Sequence, residues 1–143
     1  MENMYPTILL VHTVFGLALI IYLLFPVVIA WLRGATTNTQ VSTLNVLQNI
    51  NRVGQFLLII QFFSGGMMMT HAKYSTMWMA VITILLVAIG AFTGIMAKPM
   101  KNWKLAIETG QDAVTYNKVM ILSVLNALAY AVILFMMYHP MYR

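Results

Sequence analysis

Residues 3–32 read NMYPTILLVHTVFGLALIIYLLFPVVIAWL, with no charged side chain between Glu2 and Arg33. A helix needs about 20 consecutive, mainly apolar residues to cross the hydrocarbon core of a bilayer. This run has that length. Its apolar residues are continuous, without the in-out alternation of a barrel strand. Three more uncharged runs follow, at 53–72, 74–97 and 119–142. The spacing predicts helices near 7–32, 50–69, 76–97 and 116–138. Residues 1–143 then form a single all-α domain, a polytopic membrane four-helix bundle.

Composition agrees. Of 143 residues, 62% are hydrophobic and 8% charged, and the mean hydropathy is +0.85. A soluble domain carries about 25% charged residues, so these few cannot cover a water-facing surface. That excludes a soluble domain, a disordered chain and a nucleic-acid module. The N-terminus (Met1, Glu2, Asn3, Met4) has no basic region and the first apolar run exceeds a signal-peptide core, so the first helix is expected to be retained. Cysteine is absent, so thiolate metal sites and disulfides are excluded.

The basic residues divide unevenly. Arg33, Arg52, Lys98, Lys101, Lys104 and Lys118 flank or occupy the first and third loops; Lys73 and Arg143 belong to the other side. Lys and Arg are enriched in cytoplasmic loops. The first and third loops are therefore expected in the cytoplasm, with both termini outside the plasma membrane. Aromatic residues fit this placement. Trp31, Trp103 and Tyr116 would lie at the inner interface, and Tyr5, Tyr74, Trp78 and Tyr138 at the outer one.

Local signals refine the helices. Pro26 removes a backbone donor inside the first span and predicts a bend there. Ser42 is a candidate cap for a helix running on into the second span, and Pro99 is expected to end the third. Asn102–Thr109 is expected to lie along the interface. Each span carries a small or polar stripe: His12, Gly16 and Leu19; then Gly54, Leu58, Gln61 and Gly65; then Thr83, Val87, Gly90 and Gly94; then Ser123, Asn126, Ala127 and Tyr130. Small residues permit close backbone approach, and polar ones find partners across a bundle. These stripes are expected to face one another. The Gly90-xxx-Gly94 pair implies packing within the chain or, alternatively, a homodimer face. Gln61 and Asn126 are expected to be interhelical hydrogen-bond partners.

No acidic residue lies within a span, which argues against a carboxylate proton relay. Histidine is the informative residue type. His12 lies within the outer part of the first helix, while His71 and His139 follow the second and fourth. Gly65 and Gly66 reach the depth of His12, and Gly16 lies one turn below it. Imidazole is the usual axial ligand of haem iron, and a flat macrocycle between helices needs neighbours without side chains. His12, His71 and His139 are thus candidate metal or haem ligands, with Gly16, Gly65 and Gly66 beside them. The alternative is that His12 hydrogen-bonds within the bundle. Methionines such as Met67, Met68 and Met69 crowd the outer side, where thioether and imidazole would suit copper(I); they are equally ordinary core or lipid-facing residues.

Leu9-Leu10-Val11-His12 followed by Gly16 resembles the first-helix pattern of small four-helix bacterial membrane proteins. That group includes the haem-binding membrane protoporphyrinogen oxidase and the copper-resistance D-like domains. Asn51-Arg52 opening the second span, Ser64-Gly65-Gly66 closing it and His139-Pro140 after the fourth have a similar layout. The third span has no Lys or His where the oxidase has polar residues, so the resemblance implies cofactor binding rather than oxidase catalysis. The expectation is a haem b or porphyrin held through His12. The alternatives are copper handling by the outer Met and His residues, and a cofactor-free accessory or assembly subunit of a larger membrane complex.

Overall fold

The structure is a computed structural model that describes residues 4–111 and 115–142. The apolar runs become four antiparallel spans. The first consists of α1 (Tyr5–Ala18) and α2 (Phe25–Leu32), joined by a 3₁₀ turn over Leu19–Leu23. The others are α3 (Thr37–His71), α4 (Thr76–Thr109) and α5 (Thr115–Tyr138). All four are long and apolar enough to cross a membrane.

The bend expected from Pro26 takes the form of that 3₁₀ turn. Pro26 has no N–H to give the preceding turn, and the chain tightens so that the Leu24 N–H donates to the Ile21 carbonyl (3.0 Å). The bend decides the packing. α1 leans on α3, whereas the 3₁₀ turn and α2 lean mainly on α5. No Cα of α1 comes within 8 Å of α5. The ring of neighbours is closed by α3 on α4 and α4 on α5.

α3 and α4 overrun the expected spans at the end bearing most basic residues. With 35 and 34 residues they are about 50 Å long, against about 30 Å for the hydrocarbon core. Ser42 is therefore inside α3 rather than capping it. Pro99 does not end the third helix; it is buried within α4. A helix-interior proline costs about 3 kcal/mol. The next turns bury Met100 and Trp103 against the core, and such side chains return about 1.5–3 kcal/mol each. Asn102–Thr109 accordingly continues α4 instead of lying along the interface. The helix stops at Gly110, whose φ of +69° suits a residue without Cβ. There the Gln111 N–H donates to the Ala106 carbonyl (2.9 Å) and the Gly110 N–H to that of Ile107 (3.3 Å), a glycine-terminated helix end.

The core is one cluster running the length of the bundle, from Ile133 and Leu58 through Tyr22, Phe25 and Ile89 to Leu44, Met100 and Trp103. The stripes of the first, second and fourth spans turn inward. The stripe expected on the third does so only at Thr83, which borders the cavity described below. Val87 is 59% exposed, and a Cβ added at Gly90 or Gly94 would meet nothing within 4 Å. The buried face of α4 is instead Ile82, Ile89, Thr93, Met96, Met100 and Trp103. Their spacings of three, four and seven match the packing of helices crossing at a small angle.

Polar groups stitch the middle. The Asn51 side chain donates to the Thr93 carbonyl (2.9 Å) and accepts from the Tyr22 hydroxyl (3.3 Å), joining three spans. Asn126, expected in that role, is fully buried, and neither side-chain polar atom has a partner among the described residues.

Candidate functional site

At the end where the chain begins and finishes, the departure of α1 from α5 leaves a cavity of about 520 Å³. That lies within the range of about 300–1,000 Å³ usual for ligand pockets. All four spans line it, mainly with Leu, Ile, Met and aromatic side chains.

His12, Gly16, Gly65 and Gly66 all lie on its wall. His12 is buried, and both ring nitrogens meet α3: Nδ1 lies 3.0 Å from Ser64 Oγ, and Nε2 lies 3.1 Å from Gln61 Nε2. An amide nitrogen only donates, so with Gln61 so placed His12 Nε2 accepts and the ring proton sits on Nδ1. Nδ1–H donates to Ser64 Oγ, and the Ser64 hydroxyl donates in turn to the Gln61 carbonyl (3.3 Å). These contacts fix the orientation of the imidazole ring against α3. Gly65 lets it come close, because a Cβ there would lie 3.1 Å from His12 Cε1. Gly16 does the same for Gln61, whose Nε2 would lie 2.9 Å from an added Cβ. The Gly16 carbonyl accepts from the Tyr130 hydroxyl, the stitch between α1 and α5 at the cavity floor. Gln61 Oε1 is buried there without a partner among the described residues.

His71 and His139 are not brought together with His12 on this wall. Each is exposed with Nδ1 near a main-chain oxygen of its own helix, 2.9 Å from Met67 O for His71 and 3.1 Å from Phe135 O for His139. Met68 and Met69 line the cavity and Met67 does not. Among the described residues no three His, Cys, Asp or Glu side chains cluster to hold a metal ion.

Over the cavity lies an aromatic layer in which Tyr74 and Trp78, expected as interface anchors, are joined by Tyr142. Tyr74 stacks on Trp78 (4.7 Å between ring centroids) and on Tyr142 (5.3 Å). Tyr74 and Tyr142 also pair through their backbones, and the Ser75 N–H donates to the Met141 carbonyl (2.8 Å). Ser75 caps α4, accepting from the Trp78 N–H (3.2 Å). Partial burial, with Tyr5 and Tyr142 alongside, holds the Tyr74 phenol above its ordinary pKa. Pairing of the C-terminal residues with the α3–α4 loop is a long-range contact, and no local pattern announces it.

Fold and site define a multi-pass, all-α membrane protein with a ligand-sized cavity in one half of its bundle. No family model, curated protein or solved structure matches the chain.

Proposed function

We propose that this membrane protein holds a flat, mainly apolar prosthetic group, haem b or a porphyrin, in the cavity, with His12 as axial ligand. The observation that carries the reading is the setting of the His12 ring on a glycine-bearing wall of the cavity. A ligating histidine characteristically donates its second ring N–H to a fixed acceptor, and Ser64 Oγ stands where that acceptor is needed. The ligand atom would be Nε2. Its present partner, the Gln61 amide, is itself part of the cavity wall, and Nε2 becomes free to bind iron when this side chain turns aside. Iron so held would supply electron-transfer or oxygen chemistry; the chain's own residues orient His12 and exclude water.

The copper alternative draws less support, since His71, His139 and Met67 stand away from the cavity wall. An accessory-subunit role is a second reading, favoured by the open Gly90–Gly94 face of α4, which a neighbouring helix could cover. The same face would suit a homodimer. We place both termini outside the plasma membrane and the 33–36 and 110–114 connections in the cytoplasm, on the strength of the basic residues around them.

The test is an absorption spectrum of detergent-purified protein after haem supplementation. A Soret band that shifts on reduction and is lost in His12→Ala, with retained helicity, is expected. His71→Ala and His139→Ala should leave it in place. Absence of any Soret band overturns the proposal.

A further inference from the structure

The cavity has a closed end and an open side. The closed end faces the water beyond the terminal end of the bundle. Tyr5, Tyr74, Trp78, Pro140 and Tyr142 all line the cavity there, and the stacked rings and the Ser75–Met141 hydrogen bond fasten them together. Phe62 of α3, 48% exposed, borders the cavity on one flank; its widest opening is the slot between α1 and α5. The two helices stay more than 8 Å apart at every Cα pair. The hydrogen bond that joins them, from Tyr130 to Gly16, lies at the cavity floor. From Gly16 to Tyr5 the slot runs 11 residues, about 16 Å at the helical rise. Leu9 and Leu17 line the cavity yet are 41% and 58% exposed, so that wall of the cavity coincides with the lateral surface of the bundle. In a bilayer this surface meets acyl chains, which carry no groups that need hydrogen bonds and wet apolar edges freely.

We infer that the cavity takes its ligand sideways from the bilayer, through the α1–α5 slot in the leaflet on the side of the termini, and that the ligand class is lipid-soluble amphiphiles. The inference rests on the cavity being a binding site, as proposed above, but not on the ligand being a porphyrin. The polar atoms fit such a molecule. The walls are mainly apolar along the slot, and Gln61 on the cavity wall keeps a buried Oε1 without a partner among the described residues, which a turn of its side chain would present to an O–H or N–H of an entering polar group.

Trp78 reports on both routes, because it lines the cavity and is only 4% exposed. The experiment uses the full chain carrying Trp31→Phe and Trp103→Phe in vesicles, so that Trp78 is the sole tryptophan. The quenchers are phospholipids brominated along the acyl chain and, separately, aqueous iodide. Brominated lipid should quench Trp78 at least twofold, and iodide should barely do so. Thr13→Phe, which fills the slot from an exposed position on its edge, should halve the lipid quenching. Tyr142→Ala, a change at an exposed residue of the aromatic layer, should admit iodide while lipid quenching persists.

Quenching by iodide but not by lipid in the unaltered layer would overturn the inference, as would quenching by neither. Lipid quenching that Thr13→Phe leaves unchanged, in protein of normal helicity, would also overturn it. No haem is added, so a missing Soret band and a sealed slot are separate failures.

Discussion

The ring of Tyr22 occupies the space that a side chain at position 54 would need. A Cβ built on Gly54 would collide with the Tyr22 hydroxyl and lie 2.7 Å from its Cζ. Tyr22 is wholly buried, and its hydroxyl donates to Asn51 one turn earlier on α3. The bend of the first span and the path of α3 are thus keyed together by a phenol against a glycine.

Gly54→Ala should therefore destabilise the bundle although alanine favours helix by about 1 kcal/mol. Overpacking of a filled core costs about 1–3 kcal/mol, so a net loss near 1 kcal/mol is expected, read as a lowered unfolding midpoint in detergent. Tyr22→Phe removes the nearest atom of the clash. The double variant should lose less than the sum of the two single changes. Strict additivity would mean that the two residues do not meet.

Gly90→Leu should behave oppositely. Nothing lies within 4 Å of an added Cβ there, and the substitution improves helix propensity. Unfolding midpoints of the monomer should be equal to or slightly above wild type. A fall in stability at high protein concentration only, with a smaller species by light scattering, would show that a second copy covers this face.

The four spans were legible because charge is so sparse that Arg33, Arg52, Lys73, Lys98 and Lys118 punctuate the chain. Their ends were not. Pro99 reads as a stop, and only the burial of Met100 and Trp103 by other helices carries α4 past it. The packing face of α4 is hidden in the sequence for a related reason. In lipid, apolar residues lie on every side of a helix, so small residues stood out as the marked ones, whereas Ile82, Ile89 and Met96 make the contact. Within the site, the alignment of His12 with Gly65 followed from counting residues down two antiparallel helices. Ser64 and Gln61 as its partners depend on how α1 rotates against α3, and the aromatic layer depends on a contact between residues 74 and 142. Neither is encoded in periodicity.

Asn126 offers a sharper test of the core. Its amide is completely buried with both polar atoms unpartnered among the described residues. An unsatisfied buried polar group costs about 1–3 kcal/mol, and an apolar replacement of similar shape removes that cost. Asn126→Leu should thus be neutral or stabilising by up to about 2 kcal/mol, measured by unfolding in mixed detergent. Destabilisation by more than about 1 kcal/mol would instead mark Asn126 as a partner in a polar contact made by the folded protein in the membrane.

Sidedness can be read directly because the chain has no cysteine to give background labelling. Thr37 opens α3 and Lys73 lies in the α3–α4 connection, and both are exposed. α3 exceeds the hydrocarbon core by about 20 Å. An overhang on the cytoplasmic side would carry Thr37 clear of the headgroups and set Lys98, Lys101 and Lys104 of α4 in water or among anionic lipids. Overhang on the opposite side would put six of the eight basic residues outside, against the bias that orients such chains. In intact cells, Lys73→Cys should react with a membrane-impermeant maleimide, and Thr37→Cys should react only after permeabilisation. Labelling of Thr37→Cys in intact cells, with Lys73→Cys protected, would reverse the orientation. The aromatic layer and the cavity beneath it would then face the cytoplasm.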